Sequence, residues 1–262
     1  MRLPNPQNQA LLNHNKMMLQ QLSKSQLLAI WERGRNQHPV DQALTILNFA
    51  SPDQTRSELA ELSIGQRDTR LLSLREQLFG GTLHCAGTCP DCNEPVDISF
   101  AIKEIQVHST VSDQQGTELT WDDLQITYRP PNSRDLAAIA SCTNDRSAEK
   151  VLIERCMVKI KRNGLPIEAN ELSEEAIRKT EQAIAECDPQ AEILLDINCP
   201  ECGSQWQQLF DIANFLWIEI SVQAKRLLQE VHTLAKAYGW TEMDVLKLSD
   251  IRRQIYLEMV AS

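Results

Sequence analysis

Cys89-Pro90-Asp91-Cys92 and Cys199-Pro200-Glu201-Cys202-Gly203 decide the reading of this 262-residue chain. Each Cys-Pro-x-Cys turn points two thiolates at one place, and two such turns supply the four sulfurs of a tetrahedral zinc site. Proline presets the turn dihedral, and the residue after the second Cys must tolerate the left-handed region, as Asn93 and Gly203 do. Strand-like runs flank both turns. Val96-Asp97-Ile98-Ser99-Phe100 follows the first, Ile193-Leu194-Leu195-Asp196-Ile197 precedes the second, and Trp206 to Phe210 follows it. Hairpin, knuckle, hairpin is the build of a zinc ribbon, here divided in two by residues 93–198.

Other readings of these cysteines exist. One CxxC alone would fit a redox motif. Cys85-x3-Cys89-x2-Cys92 has the spacing of the cluster loop in radical iron–sulfur enzymes. That reading puts Asp91 where the loop has an aromatic, and leaves the second knuckle unexplained. It also needs an alternating strand–helix pattern long enough for a barrel, which the chain lacks. The expectation is therefore one structural Zn2+ per chain, held by Cys89, Cys92, Cys199 and Cys202 in a closed, non-catalytic site. His84 and Cys85 are assigned to the hairpin strand.

Composition narrows the function classes. Charged residues are 24% and hydrophobics 42% of the chain, which is the range of soluble globular proteins. A net charge of −10 repels phosphate backbones and disfavours nucleic acid as a partner. No apolar run approaches a membrane span, and the N-terminus has no apolar segment of signal-peptide type. Cytoplasmic localisation is expected, with Cys142, Cys156 and Cys187 as small buried residues of helical segments. Neither a small-molecule substrate nor membrane insertion is indicated.

The fold class read from these patterns is α+β, mostly helical, with a discontinuous zinc-ribbon-like β module built from the two CPxC hairpins. Residues 1–22, rich in Asn and Gln, form a flexible arm. Residues 23–81 are helical. Leu27, Leu28, Ile30 and Trp31 mark one helix, and Pro39 with Asp41 opens the next. Ser63 and Gln66 make a capping box for a third, which Gly80-Gly81 stops. Residues 82–130 carry the first ribbon half, ending at Pro130-Pro131. Residues 131–190 form a helical insertion capped by Asn132 or Ser133, then by Ser147 for a helix over Val151–Ile160, and by Ser173. Residues 191–212 are the second ribbon half. In 213–262 the recurrence of Leu216, Ile220, Ala224, Leu227, Val231, Leu234 and Tyr238 predicts a long amphipathic helix ended by Gly239.

No catalytic constellation emerges, and no enzymatic activity is expected. The five histidines are scattered, and no HExxH, nucleophile elbow or phosphate-binding glycine loop occurs. Large apolar groups concentrate near the C-terminal helices instead. Phe215, Trp217, Tyr238, Trp240 and Tyr256 are the candidate partner-binding residues, because Trp and Tyr serve as interface anchors.

Several stretches, in this order, carry a resemblance. They are Trp31-Glu32-Arg33-Gly34 with His38-Pro39, and Gly65-Gln66-Arg67-Asp68 through Arg75-Glu76 to Phe79-Gly80. Then come the two CPxC knuckles, Arg129-Pro130-Pro131-Asn132-Ser133-Arg134-Asp135-Leu136, and Phe215-Leu216-Trp217-x-Glu219-Ile220. Glu230-Val231-His232 to Tyr238-Gly239-Trp240 and Leu248-Ser249-x-x-Arg252-Arg253-x-x-Tyr256-Leu257 complete them. Together they resemble the T-even-type phage baseplate (hub assembly) family, in the cysteine-bearing form associated with bacterial contractile injection systems. The resemblance implies a baseplate component or assembly chaperone whose partners are hub or wedge subunits of a phage-tail-like particle. It implies no catalytic residue. A zinc-ribbon regulator that binds nucleic acid is the alternative function, with an enzyme using Cys85, Cys89 and Cys92 third.

Overall fold

A computed structural model describes residues 19–107 and 116–261. It mixes helix with three small antiparallel sheets, in keeping with the expected class. The chain opens with α1 (Lys24–Gly34), α2 (Pro39–Ala50), α3 (Arg56–Glu61) and α4 (Ile64–Phe79). Side-chain caps start all four. Ser23 with Gln26, Thr55 with Glu58 and Ser63 with Gln66 are reciprocal capping boxes, and His38 Nδ1 accepts from Val40 N. Apolar faces then converge, and Ile30, Ile46, Leu47, Leu59, Leu71, Leu72 and Leu74 are fully buried. Of the expected N-terminal arm, residues 1–18 lie outside the described residues. Its end is anchored: Gln20 N donates to Ala50 O at 2.9 Å, and Leu22 is buried, while Gln21 is exposed.

The long helix α9 (Ile212–Tyr238) lies against this bundle. Leu216 and Ile220 enter the first core. Ala224, Leu227, Val231 and Leu234 form a second with Leu28, Val245 and Leu246. Every member of the predicted stripe is buried except Tyr238. Gly239 ends the helix at φ +67°, followed by α10 (Glu242–Lys247) and α11 (Asp250–Ala261). Gly34 must be glycine, since a Cβ there would stand 2.5 Å from the Trp217 ring.

Two hairpins lie far apart in sequence. The first is β1 (Thr82–Thr88) with β2 (Pro95–Ala101), followed by the single turn α5 (Ile102–Ile105); the second is β7 (Leu194–Asn198) with β8 (Gln205–Leu209). Between them lie β3 (Thr117–Trp121), β4 (Leu124–Tyr128), α6 (Ser133–Ile139), α7 (Asp145–Cys156), β5 (Met157–Arg162), β6 (Leu165–Pro166) and α8 (Glu174–Cys187). β3 and β4, the rest of the expected first ribbon half, pair elsewhere, and the expected helical insertion 131–190 also contains strands. The strands form one sheet, β3-β4-β5-β6, separate from the two cysteine hairpins. The helix expected over Val151–Ile160 therefore ends at Cys156, and its cap is Asn144 rather than Ser147. The reason is a change of period. From Met157 apolar and basic residues alternate (Val158, Lys159, Ile160, Lys161), and Asn163-Gly164, both at positive φ, close a two-residue hairpin.

Buried charges clip the insertion to the bundle. The fully buried Asp135 carboxylate accepts from Arg129 Nη1 (2.6 Å), Arg155 Nε (2.9 Å) and Asn132 N (3.0 Å). Ile64 N donates to Pro131 O, and Gly65 N to Asp188 Oδ2. Burial alone would raise the Asp135 pKa, but the Arg129 and Arg155 guanidiniums and the Asn132 amide outweigh it and hold the carboxyl below its usual value. A depressed folded-state pKa means the unfolded chain binds the proton more readily. Asp135 therefore stabilises the fold above a pH of about 4, and that contribution fades as pH falls through the folded value. Asp135→Asn should cost about 2–4 kcal/mol at neutral pH, since it leaves two guanidiniums short of a partner. In urea titrations at several pH values, its difference from wild type should narrow below pH ~4. A pH-independent difference would refute an ionic role.

Candidate metal centre

Both knuckles have the same backbone wiring. Cys89 N donates to Glu94 O (2.9 Å) and Asn93 N to Cys89 O (3.0 Å); Cys199 N donates to Ser204 O (2.8 Å) and Gly203 N to Cys199 O (3.0 Å). Asn93 at φ +61° and Gly203 at φ +75° occupy the left-handed position the turn requires, as the sequence indicates. The turns close β1–β2 beyond Thr88↔Pro95 and β7–β8 beyond Asn198↔Gln205.

The fold brings the four sulfurs together. All lie within 4.8 Å of one another, with Cys89 Sγ 3.7 Å from Cys202 Sγ and Cys92 Sγ 3.7 Å from Cys199 Sγ. Each close pair thus joins one hairpin to the other. Cys89 and Cys199 are buried, Cys92 is half-buried and Cys202 is exposed. Beneath them Val96 and Ile197 are buried with half-buried Ile98, Leu195 and Trp206 around them. This small apolar layer positions the turns but is too thin to hold two hairpins by itself.

A second match between the hairpins was not anticipated. Leu83 and Ile193 each stand six residues before the first cysteine of their knuckle, and both are buried. Phe100 and Phe210 each stand eleven residues after it, and their rings meet edge-to-face at 5.4 Å. The two halves are thus alike at their bases as well as at their tips. Aligning the two segments on their cysteines would have revealed the repeat.

Crowding four thiols has an electrostatic consequence. Backbone amides of Cys92 and Asp91 help pull the Cys89 thiol down to about 7 against the effect of burial. At Cys92 the Glu94 amide also lowers the pKa, but burial and the three neighbouring sulfurs win and push it up to about 12. Cys202 is likewise raised by Cys199 and Cys89, despite the Ser204 amide. The Cys89 proton is thus loosened while those of Cys92 and Cys202 are held more tightly. A bound cation would favour the thiolates, so this arrangement can hold a metal ion.

The remaining candidates fall elsewhere. Cys85 is not in the cluster. It is half-buried against the helical core, where burial and then Glu219 raise its pKa. The iron–sulfur reading therefore lacks its third ligand. His84 Nδ1 lies 2.6 Å from Ser99 Oγ across the hairpin. Cys156 is buried at the end of α7, Cys187 half-buried at the end of α8, and Cys142 half-buried just past α6 rather than within a helix. Phe215 and Trp217 pack half-buried against the first core. Tyr238, Trp240 and Tyr256 form a separate three-ring cluster, with Tyr238 stacked on Trp240 at 4.8 Å and Tyr256 edge-on to Trp240 at 4.8 Å. The five aromatics thus occupy two sites, not one. Among the described residues, no helix is long and apolar enough to cross a membrane.

A family model described as T4 bacteriophage base plate protein matches residues 22–217. The match runs from just before α1 into the second turn of α9 and includes all four clustered cysteines. No curated protein and no solved structure matches the chain.

Proposed function

Because the chain belongs to the T4 bacteriophage base plate protein family, we propose that it is a non-enzymatic baseplate component or assembly factor of a phage-tail-like contractile injection system. It acts by protein–protein contact with hub or wedge subunits, in the cytoplasm where such particles are built. The observation that carries this reading is the family match across most of the chain. Four cysteine ligands would leave a metal no open position for substrate, which suits a structural role.

The metal of this reading is one structural zinc in a ribbon formed by both hairpins. Zinc–sulfur bonds of about 2.3 Å in a tetrahedron give sulfur–sulfur edges of about 3.8 Å. The two closest cross-hairpin pairs, both at 3.7 Å, fit that edge. The ribbon is then a rigid platform beside the helices. Its presence alone does not favour DNA, because a net charge of −10 opposes a phosphate backbone.

The ring cluster of Tyr238, Trp240 and Tyr256 is the proposed anchor for a baseplate subunit; Phe215 and Trp217, at the other end of α9, are a separate candidate contact. Trp240→Ala should weaken association with a hub or wedge subunit about 30-fold, the size of a hot-spot truncation, while metal content stays at wild type. Deletion in the host decides the larger question. Sheathed particles with normal baseplates at wild-type yield would sink the proposal and promote the nucleic-acid regulator in its place.

A further inference from the structure

The first three helices leave a polar hollow of about 430 Å³ between them. α2 lines it with one face, where Asp41, Thr45 and Asn48 recur at intervals of four and three. α1 contributes Arg33 from its last turn, and α3 contributes Arg56 from its first. Thr45 is buried and fixes the groups around it. Its hydroxyl donates to Gln37 Oε1 at 2.7 Å and accepts from Arg56 Nη1 at 3.2 Å. With its oxygen engaged, the Gln37 amide has its N–H groups left as donors.

The two guanidiniums are not alike. Arg56 also donates to Asp41 Oδ1 at 2.5 Å, so the carboxylate that lines the hollow is already paired. Arg33 lies over the Phe49 ring at 4.9 Å and has no hydrogen bond or ion pair among the described residues. Stacking uses the face of a guanidinium and leaves its in-plane N–H groups for an acceptor. Arg33, Arg56 and Asp41 together give the hollow a net positive charge, in a chain whose own net charge is −10.

We propose that this hollow binds a carboxylate side chain on an acidic segment of a partner protein, with Arg33 as the primary contact. A carboxylate fits the planar fork of a guanidinium as a bidentate pair. The Phe49 ring holds that fork in place beforehand, which lowers the entropy lost on binding. Charge decides against the nearest occupant. The described chain begins beside Phe49, where Gln20 Nε2 donates to Phe49 O at 2.7 Å. Residues 1–18, however, carry Arg2 and Lys16 and no carboxylate side chain, so the complement belongs to another molecule. The inference rests on the reading that this chain works by protein contact, and adds the chemistry of one such contact.

Isothermal titration of the full chain with a blocked hexaglutamate peptide, at low salt, tests the site. The wild type should bind this peptide and give no heat with hexaglutamine. Arg33→Gln should weaken binding by about fivefold, the size of one partly exposed ion pair, with melting temperature and metal content unchanged. Asp41→Asn should tighten it about threefold, because it frees Arg56 Nη2 for the ligand and removes the opposing charge. Asp145→Asn on α7 changes the total charge equally and should alter nothing, which separates a local site from bulk attraction. Hexaglutamate that fails to bind at millimolar concentration, or binds Arg33→Gln as tightly as wild type, overturns the proposal. Inorganic phosphate bound as tightly as the peptide overturns it too, and marks a small-anion site instead. Such failure leaves the protein-contact reading standing, since particle yield after deletion in the host decides that.

Discussion

A Cys199→Ser/Cys202→Ser chain should emerge from purification with no bound zinc, where the wild type should carry one equivalent. The expectation follows from the cross-hairpin geometry: the Cys89–Cys202 and Cys92–Cys199 pairs at 3.7 Å each have one member in each knuckle, so losing the second knuckle removes half of both. Two thiols cannot complete a tetrahedral site, and Cys85, packed on the helical side of β1, is not placed to replace them. The stability effect should be large. Structural zinc sites contribute apparent binding free energies of about 10–16 kcal/mol, comparable with the whole stability of a domain. At their tips the hairpins have little else between them, with Val96 and Ile197 buried beneath the cysteines, while the Phe100–Phe210 contact joins them only at their bases. Thermal melting should therefore show early loss of the ribbon, and chelation of the wild-type protein should reproduce it. Metal analysis with X-ray absorption checks the ligands. One full equivalent of zinc still bound by four sulfurs in the double variant would refute the shared site.

Much of this architecture could be read in advance wherever one residue carries a local rule. Ser63 with Gln66, Asn132, Ser173 and Gly239 terminate helices as expected, since capping is settled within a single turn. The cysteine knuckles are local too, and their spacing already implied that the halves meet. What escaped had one of two causes. The first was a signal overlooked although present: Thr55-x-x-Glu58 announces α3 by the same box that announces α4. The second was tertiary. Val151–Ile160 reads as helix as a whole; the alternation from Met157 is too short to decide alone, and pairing of Ile160 with Ile126 on β4 makes its second half a strand. The partial burial of Trp217 has the same origin. It lies off the α9 stripe, yet Gly34 leaves a gap on α1 that its ring fills. The match between two distant residues cannot be seen from either alone.

Arg75→Met is the second change expected to have a large effect, through a quite different mechanism. The Arg75 side chain is 5% exposed and bonds to three parts of the fold at once. Nε and Nη2 grip Glu219 on α9 at 3.0 and 2.7 Å, and Nη1 donates to Gly80 O at 2.6 Å and Thr82 O at 2.5 Å. The guanidinium also lies 5.8 Å from the Phe215 ring centre. One planar fork thus ties the end of α4 and the start of β1 to the long helix. Methionine matches its length but leaves a largely buried carboxylate and two carbonyls without this donor. Removing one partner of such a pair costs about 3–5 kcal/mol, most of it from the charge left behind. The double variant Arg75→Met/Glu219→Met should recover a good part of that loss, because it removes the stranded charge as well. Arg75→Lys should not, since an ammonium cannot span a bidentate carboxylate and two carbonyls together. Equilibrium unfolding in urea measures all three. A cost below about 1 kcal/mol for Arg75→Met would place this pair with ordinary surface ion pairs. Zinc content should stay at one equivalent throughout, because all four cysteines remain. Loss of stability with metal retained would distinguish this clamp at the base of the first hairpin from the proposed metal staple at its tip.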